Sequence, residues 1–265
     1  MSVDISWLAL AGFSLILIVP LGLNRYFKLA LGKDLIGSLL RMLVQLSLLG
    51  LYLQYLFELN NLWLNLGWLA LMLLVGASAI VGKAKLPQKV LLLPVLAGLV
   101  VGLSPVLLIL LLGLLQLQPW YQTQYLIPLA GMLLGNSLSG NIVALQRLFN
   151  ALSEKQTEYY GYLALGANRQ QATESFVQSA MQQALAPLLA SMSTMGLVTL
   201  PGMMTGQILG GSDPLIAVKY QILILIAILV MLSLSLACTL SLCVRLAISP
   251  SGLVRIATSH SKIAS

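Results

Sequence analysis

Charge is what this sequence has least of. Charged residues make up 8% of its 265 residues and hydrophobic ones 59%, whereas soluble domains carry roughly 25% charge. With a mean hydropathy of +0.96, an ordinary water-soluble domain is excluded. Apolar and polar residues do not alternate along the apolar runs, which excludes a β-barrel. Cysteine and histidine are nearly absent too. Cys238 and Cys243 stand inside an apolar run at a spacing that matches no metal or redox motif, so both read as packing residues. His260 stands alone in a polar tail, and neither residue type supports a metal centre. The net charge of +7 is spread singly between apolar runs and forms no basic stripe, so nucleic acid is not an expected partner.

What is present is a set of long apolar runs, at about 6–23, 35–57, 62–81, 90–115, 125–149, 184–209 and 215–248. Each is close to or above the ~20 residues that cross a bilayer as a helix. The fold class expected is an all-α polytopic membrane protein of about seven transmembrane helices, a single domain over 1–265, with the lipid bilayer as solvent. The start, MSVDISWLAL, lacks a basic segment, and the first run reads as a retained span. Short cytoplasmic loops carry an excess of Lys and Arg. Placing the N-terminus outside and the C-terminus in the cytoplasm puts every Lys and Arg except Lys219 on the inner side. The sixth run is the irregular one, because TLPGMMTGQILGGSDP supplies prolines and glycines near its outer end. It reads either as a broken span or as an ordinary outer loop.

One polar stretch interrupts the oil, EYYGYLALGANRQQATESFVQSAMQQALAP at 158–187. It falls in the longest cytoplasmic loop and reads as helix, break, helix. Ser153 with Gln156 has the spacing of a capping box for a first helix, and Gly166 suits a left-handed stop. Asn168 with Gln171 repeats the box for a second helix, whose Phe176, Val177, Ala180, Met181, Ala184 and Leu185 share one face. That face fits either the membrane surface or the ends of the chain's own helices. Gly161 and Gly166 have the glycine spacing of a phosphate-binding loop, but Ala167 and Asn168 stand where Lys and Ser or Thr are needed. The chain is therefore not expected to be an enzyme or to bind a cofactor.

EYYGYLALGA resembles the coupling motif of ABC-transporter permeases, a Glu with small residues and a Gly followed by another small residue. IPLAGMLLGNSLSGN (127–141), LPGMMTGQILGGSDPLIAVKYQI (200–222) and LLRMLVQLSLLG (39–50) resemble segments of the Fet-type (FetB-like) iron-export ABC permeases. That family has plant relatives associated with aluminium tolerance. Leu138 departs from it where a Met is expected, and the aliphatic-Pro pair common in importer loops is missing, Pro187 coming later. The resemblance implies a homodimeric permease in a bacterial plasma (inner) membrane, with ATP used by a separate cytosolic ABC ATPase subunit. It implies export of iron or another metal ion or complex, a coupling segment at 153–183 and a cytoplasmic polar tail at 249–265. The coupling residues would be Glu158, Gly161, Ala164, Gly166, Ala167 and Arg169.

Polar residues inside spans are functional suspects. In the fifth run Gly131, Gly135, Asn136, Ser139 and Asn141 fit either helix association or the lining of a translocation path. Arg41 and Gln45, one turn apart in the second run, fit the same path, although Arg41 can also reach the inner surface. Met203 and Met204 carry thioethers suited to soft ions but also fill gaps, so the metal ligands stay unknown. Asp213 at the outer mouth either attracts a cation or caps a turn before Pro214. No run has a carboxylate near its middle. That counts against the alternative of proton-coupled secondary carriage, though not against an ATP-independent channel.

Overall fold

A computed structural model describes residues 6–29 and 31–249. Beyond Ser249 the expected polar tail, with Arg255, His260 and Lys262, lies outside the described residues. The described chain is helical: α1 (Trp7–Ser14), α2 (Ile18–Tyr26), α3 (Gly32–Leu59), α4 (Leu62–Lys83), α5 (Gln88–Leu108), α6 (Thr123–Glu154), α7 (Gln156–Ala164), α8 (Arg169–Thr194), α9 (Gly202–Leu209) and α10 (Pro214–Ala247). A tight turn at Leu15–Leu17 joins α1 to α2, and a wider π turn at Ile109–Leu114 prolongs α5. Six helical stretches are long and apolar enough to cross a membrane: Trp7–Tyr26, Gly32–Leu59, Leu62–Lys83, Gln88–Leu114, Thr123–Glu154 and Pro214–Ala247. The expected seventh, at 184–209, is a composite of the second half of α8 and the short α9.

The loop's second helix leads into the sixth span as one continuous helix, α8, and the break near that span's outer end falls at 195–201. There Gly196 takes φ +85° and its N–H donates to the Thr199 carbonyl at 2.9 Å. Ser153 caps nothing, because α6 runs through it to Glu154 and Lys155 supplies the bend into α7 without a side-chain cap. With no Gly or Pro between Asn141 and Lys155, nothing in the backbone stops α6 earlier. The capping box of Asn168 and Gln171 does form, with both bonds at 2.9 Å.

The packed centre is α4, α5, α6, α8 and α10. Lipid tails are as apolar as Leu, so helices in a bilayer associate by close contact between small residues and by hydrogen bonds. The tightest seam is α5 on α10. A Cβ at Gly102 would lie 2.7 Å from the Met231 carbonyl oxygen, and one at Gly98 would lie 2.9 Å from that of Ser235 and against the Thr239 hydroxyl. α6 closes on the same strip of α10. A Cβ at Gly140 would meet Leu232 at 2.8 Å. Beside it, the Ser235 hydroxyl donates to Asn141 Oδ1 at 3.2 Å, and Asn141 Nδ2 donates to the Ser137 carbonyl at 3.0 Å.

Polar clamps mark the two ends of the bundle. At one end Asn60, in left-handed conformation, stops α3 and accepts from the Thr123 N–H and hydroxyl, both at 3.1 Å. Asn61 caps α4, while the buried Asn65 donates to the Tyr121 carbonyl at 2.8 Å, and its Oδ1, 3.0 Å from the Thr123 hydroxyl, shares that one proton with Asn60. At the other end Gln146 Nε2 donates to the Lys83 carbonyl at 3.2 Å, satisfying a last-turn acceptor of α4. At about 48 Å, α6 overshoots the ~30 Å hydrocarbon core, and its surplus carries Arg147, Asn150 and Glu154 toward α7.

The seam yields a prediction. Gly102→Val places new atoms against backbone that cannot move aside, which costs about 1–3 kcal/mol. Gly135→Ala meets nothing within 4 Å. Thermal unfolding in mild detergent should show a clear loss for Gly102→Val and little change for Gly135→Ala.

Candidate functional site: a helix, turn and helix at the polar end

α7 is a short helix lying beside the end of α6, pinned by Tyr159, which is wholly buried, and by half-buried Leu163. Burial, with the neighbouring Tyr160, raises the Tyr159 phenol above its usual range, and Arg169 partly opposes that shift. The rest of α7 faces outward. Glu158 pairs with Lys155 at 3.6 Å, and both side chains are exposed, where such a pair contributes little.

The turn after α7 presents Leu165 with 86% of its surface exposed. Gly166 follows at φ +89° with open space where a side chain would start. Its N–H donates to the Leu163 carbonyl at 3.0 Å, and the Ala167 N–H to that of Tyr162 at 3.0 Å, closing the helix end. The Asn168 capping box then starts α8 at once.

α8 is held by the face read from the sequence. Phe176, Ala180 and Ala184 are buried, with Val177, Met181 and Leu185 half-buried beside them. Ala172 and Thr173 extend the buried strip toward the N-terminus. The face is spent on the chain's own α6 and α10, not on a membrane surface. Two open grooves flank it, the larger lined by apolar Val177, Met181, Leu185 and Val244 as well as by polar residues. One, of about 350 Å³, lies between α8, α7 and the end of α6 and includes Arg147, Asn150, Glu154, Glu158, Ser179 and Gln183. The other, of about 730 Å³, lies between α8 and α10 and includes Gln171, Glu174, Gln178, Gln182 and Ser241.

The expected coupling residues thus divide. Glu158, Gly161, Ala164 and Gly166 are exposed on α7 and its turn, while Ala167 is half-buried. Arg169 turns inward: its Nη1 donates to the Ile248 carbonyl at 3.0 Å and reaches that of Arg245 at 3.5 Å. A cation there satisfies acceptors at the C-terminus of α10 and complements its dipole.

The expected path residues divide as well. Asn141 is buried between α6 and α10, whereas Gly135, Asn136 and Ser139 are exposed on the other side of α6. Gly131 is half-buried, a Cβ there lying 3.2 Å from Met72 Cε. Arg41 and Gln45 are exposed on α3. Met203 and Met204 are half-buried on α9, and Asp213 caps α10, accepting from the Leu215 N–H at 2.7 Å. Among the described residues, no group of three or more His, Cys, Asp or Glu could hold a metal ion. Sequence reasoning missed Tyr159 and Leu165, and it missed Gly98 and Gly102, although their four-residue spacing is the sign of a close helix contact.

A bundle of membrane-length helices that carries one polar helix-turn-helix at an end defines a multi-pass membrane protein. The chain belongs to the family described as Uncharacterised protein family (UPF0014), which it matches over residues 7–248. It is 37% identical over 231 residues to a UPF0014 membrane protein of Synechocystis, covering 84% of each chain. It is 32% identical to the Probable iron export permease protein FetB of Escherichia coli, over 79% of this chain and 80% of that one. It is also 35% identical to Protein ALUMINUM SENSITIVE 3 of Arabidopsis thaliana, over 75% and 71% of the two chains. No solved structure matches the chain.

The capping box gives a second prediction. Asn168→Ala removes the bond that Asn168 Oδ1 accepts from the Gln171 N–H, leaving the backbone N–H of residue 168 to donate to Gln171 Oε1, and should cost about 1 kcal/mol. The loss should appear as faster amide exchange in the first turn of α8, with the α5–α10 seam unaffected.

Proposed function

We propose that this chain is the membrane-spanning permease subunit of an ATP-driven ABC transporter in a bacterial inner membrane, pairing as a homodimer with two separate cytosolic ATPase subunits. The observation that carries this reading is the polar α7, its open Gly166 turn and the firmly rooted α8. An exposed helix-turn-helix braced against the spans is what a partner needs if its own closure is to move them. The excess of Lys and Arg in the loops at this end supports a cytoplasmic side for it. Leu165 offers an apolar contact at the tip, and the exposed Glu158 and Lys155 offer a charged rim.

The cargo in this reading is iron or another metal ion or complex, moved outward. The printed names of the Escherichia coli and Arabidopsis relatives support that class. The helical spans contain no carboxylate near mid-membrane in the sequence, which favours ATP-driven over proton-coupled transport. ATP is then bound and hydrolysed only by the partner subunit.

The test is Gly166→Arg. Any side chain at φ +89° is strained by about 1–2 kcal/mol even in open space, so Gly166→Ala serves as the control that carries the strain alone and should keep efflux, whereas the long side chain of Gly166→Arg should also block close approach by the ATPase. Metal efflux from cells and metal-stimulated ATP hydrolysis by the purified complex should both fall to background. Wild-type efflux by this variant would overturn the coupling role.

A further inference from the structure

α3 is attached to the rest of the chain almost entirely at one end. Leu56 is fully buried, Tyr52 stacks against Trp68 with ring centroids 4.4 Å apart, and Asn60 is clamped to Thr123. Farther along, every residue from Leu40 to Leu48 is exposed. Spacings of three, four and seven put Ser38, Arg41, Gln45, Tyr52 and Leu56 on one face of the helix. The face that touches the core near Leu56 is therefore the face that carries Arg41 and Gln45 where nothing touches it. Neither residue has a hydrogen-bond or ion-pair partner among the described residues; the one ion pair there is Lys155 with Glu158.

α6 has a matching exposed polar face. Gly135, Asn136 and Ser139 are open, and a Cβ at Gly135 would meet nothing within 4 Å. Asn136 Nδ2 donates to the Met132 carbonyl of its own helix at 2.8 Å, leaving Oδ1 to accept. Measured from the shared Asn60–Thr123 clamp at 1.5 Å per residue, Gln45 and Arg41 lie about 21 and 27 Å along α3, and Asn136 and Ser139 about 20 and 24 Å along α6. Both faces are therefore in the same half of the bilayer, where hydrocarbon cannot satisfy a guanidinium or a carboxamide.

We propose that the Arg41 and Gln45 face of α3 in one copy of this chain packs against the Gly135, Asn136 and Ser139 face of α6 in a second copy. A two-fold axis pairs face i with face j and face j with face i, so one dimer covers both polar faces of both copies. Guanidinium and amide donors on α3 meet Asn136 Oδ1 and the Ser139 hydroxyl on α6. Gly135 lets the two backbones approach. The interface deepens the permease reading, on whose homodimer it rests, and names the surface by which the copies meet.

The test uses two tagged copies expressed together in membranes without any ATPase subunit, so its outcome is independent of coupling. Cys238 and Cys243 are replaced by Ala. One copy carries Arg41→Cys or Gln45→Cys, the other Asn136→Cys or Ser139→Cys. Mild oxidation should yield a disulfide product bearing both tags. Its yield should stand roughly tenfold or more above that of Leu93→Cys with Ser139→Cys, since a held pair reacts as an intramolecular one. Absence of the two-tag product from all four pairs overturns the proposal. A second sample puts both cysteines on one chain: a disulfide there within the chain, with no two-tag product in the first sample, would mean that α3 folds back on its own α6 and also overturns the proposal. Native mass measurement of the unsubstituted protein in mild detergent guards against misfolded variants: a dimer is expected, and a monomer overturns the interface.

Discussion

The close approach of α5 and α10 is the contact on which the rest of the bundle depends. Inside a bilayer no hydrophobic gain comes from bringing two helices together, so the bundle must be held by dispersion over a short separation and by the few polar bonds that separation permits. Gly98 and Gly102 bring α5 onto the backbone of Met231 and Ser235. The same Ser235 bonds Asn141, so one residue of α10 links the α5 seam to the α6 seam. α8 then packs on α6 and α10, and α7 hangs from the end of α6. The position of the polar helix-turn-helix is thus fixed by packing that begins far from it.

Much of this was legible in the sequence, for reasons that can be named. Run length follows directly from hydrocarbon thickness, and it gave the helical class and nearly every span. Asn168 and Gln171 form their box because a capping box is local, needing only backbone and two side chains. Gly166 is left-handed for the same local reason. Ser153 misled because its identical spacing sits where α6 has no cause to stop, and a continuing helix outcompetes a cap. The join between the loop helix and the sixth span was legible because the apolar positions keep helical spacing through Ala184 and Leu185, although the composition changes from Gln-rich to apolar partway along α8. Composition reports surroundings, and here the surroundings change while the helix does not.

Side-chain direction was the other thing the sequence withheld. Asn136 and Asn141 are five residues apart and look like one cluster on paper. Five residues is about 500° of helical rotation, so they point to different sides: Asn141 to α10, and Asn136 away from the packed centre. Arg169 was equally opaque. Its charge suggested a rim contact with a partner, but its acceptors are carbonyls at the end of α10, nearly 80 positions later in the chain. Only the fold brings them together.

Pro187 gives α8 a mechanical character of its own. The helix is 26 residues long, about 39 Å, rooted along α6 and α10 by Phe176, Ala180 and Ala184, and free of small-residue breaks until Gly196. A push on its first turn therefore travels along it as along a stiff rod. Pro187 has no N–H for the carbonyl of Gln183, one turn back and on the wall of the groove beside α7. The rod has its single knuckle there, and beyond it only the loose 195–201 link. With that carbonyl lacking its helical donor, α8 resists bending least at this point.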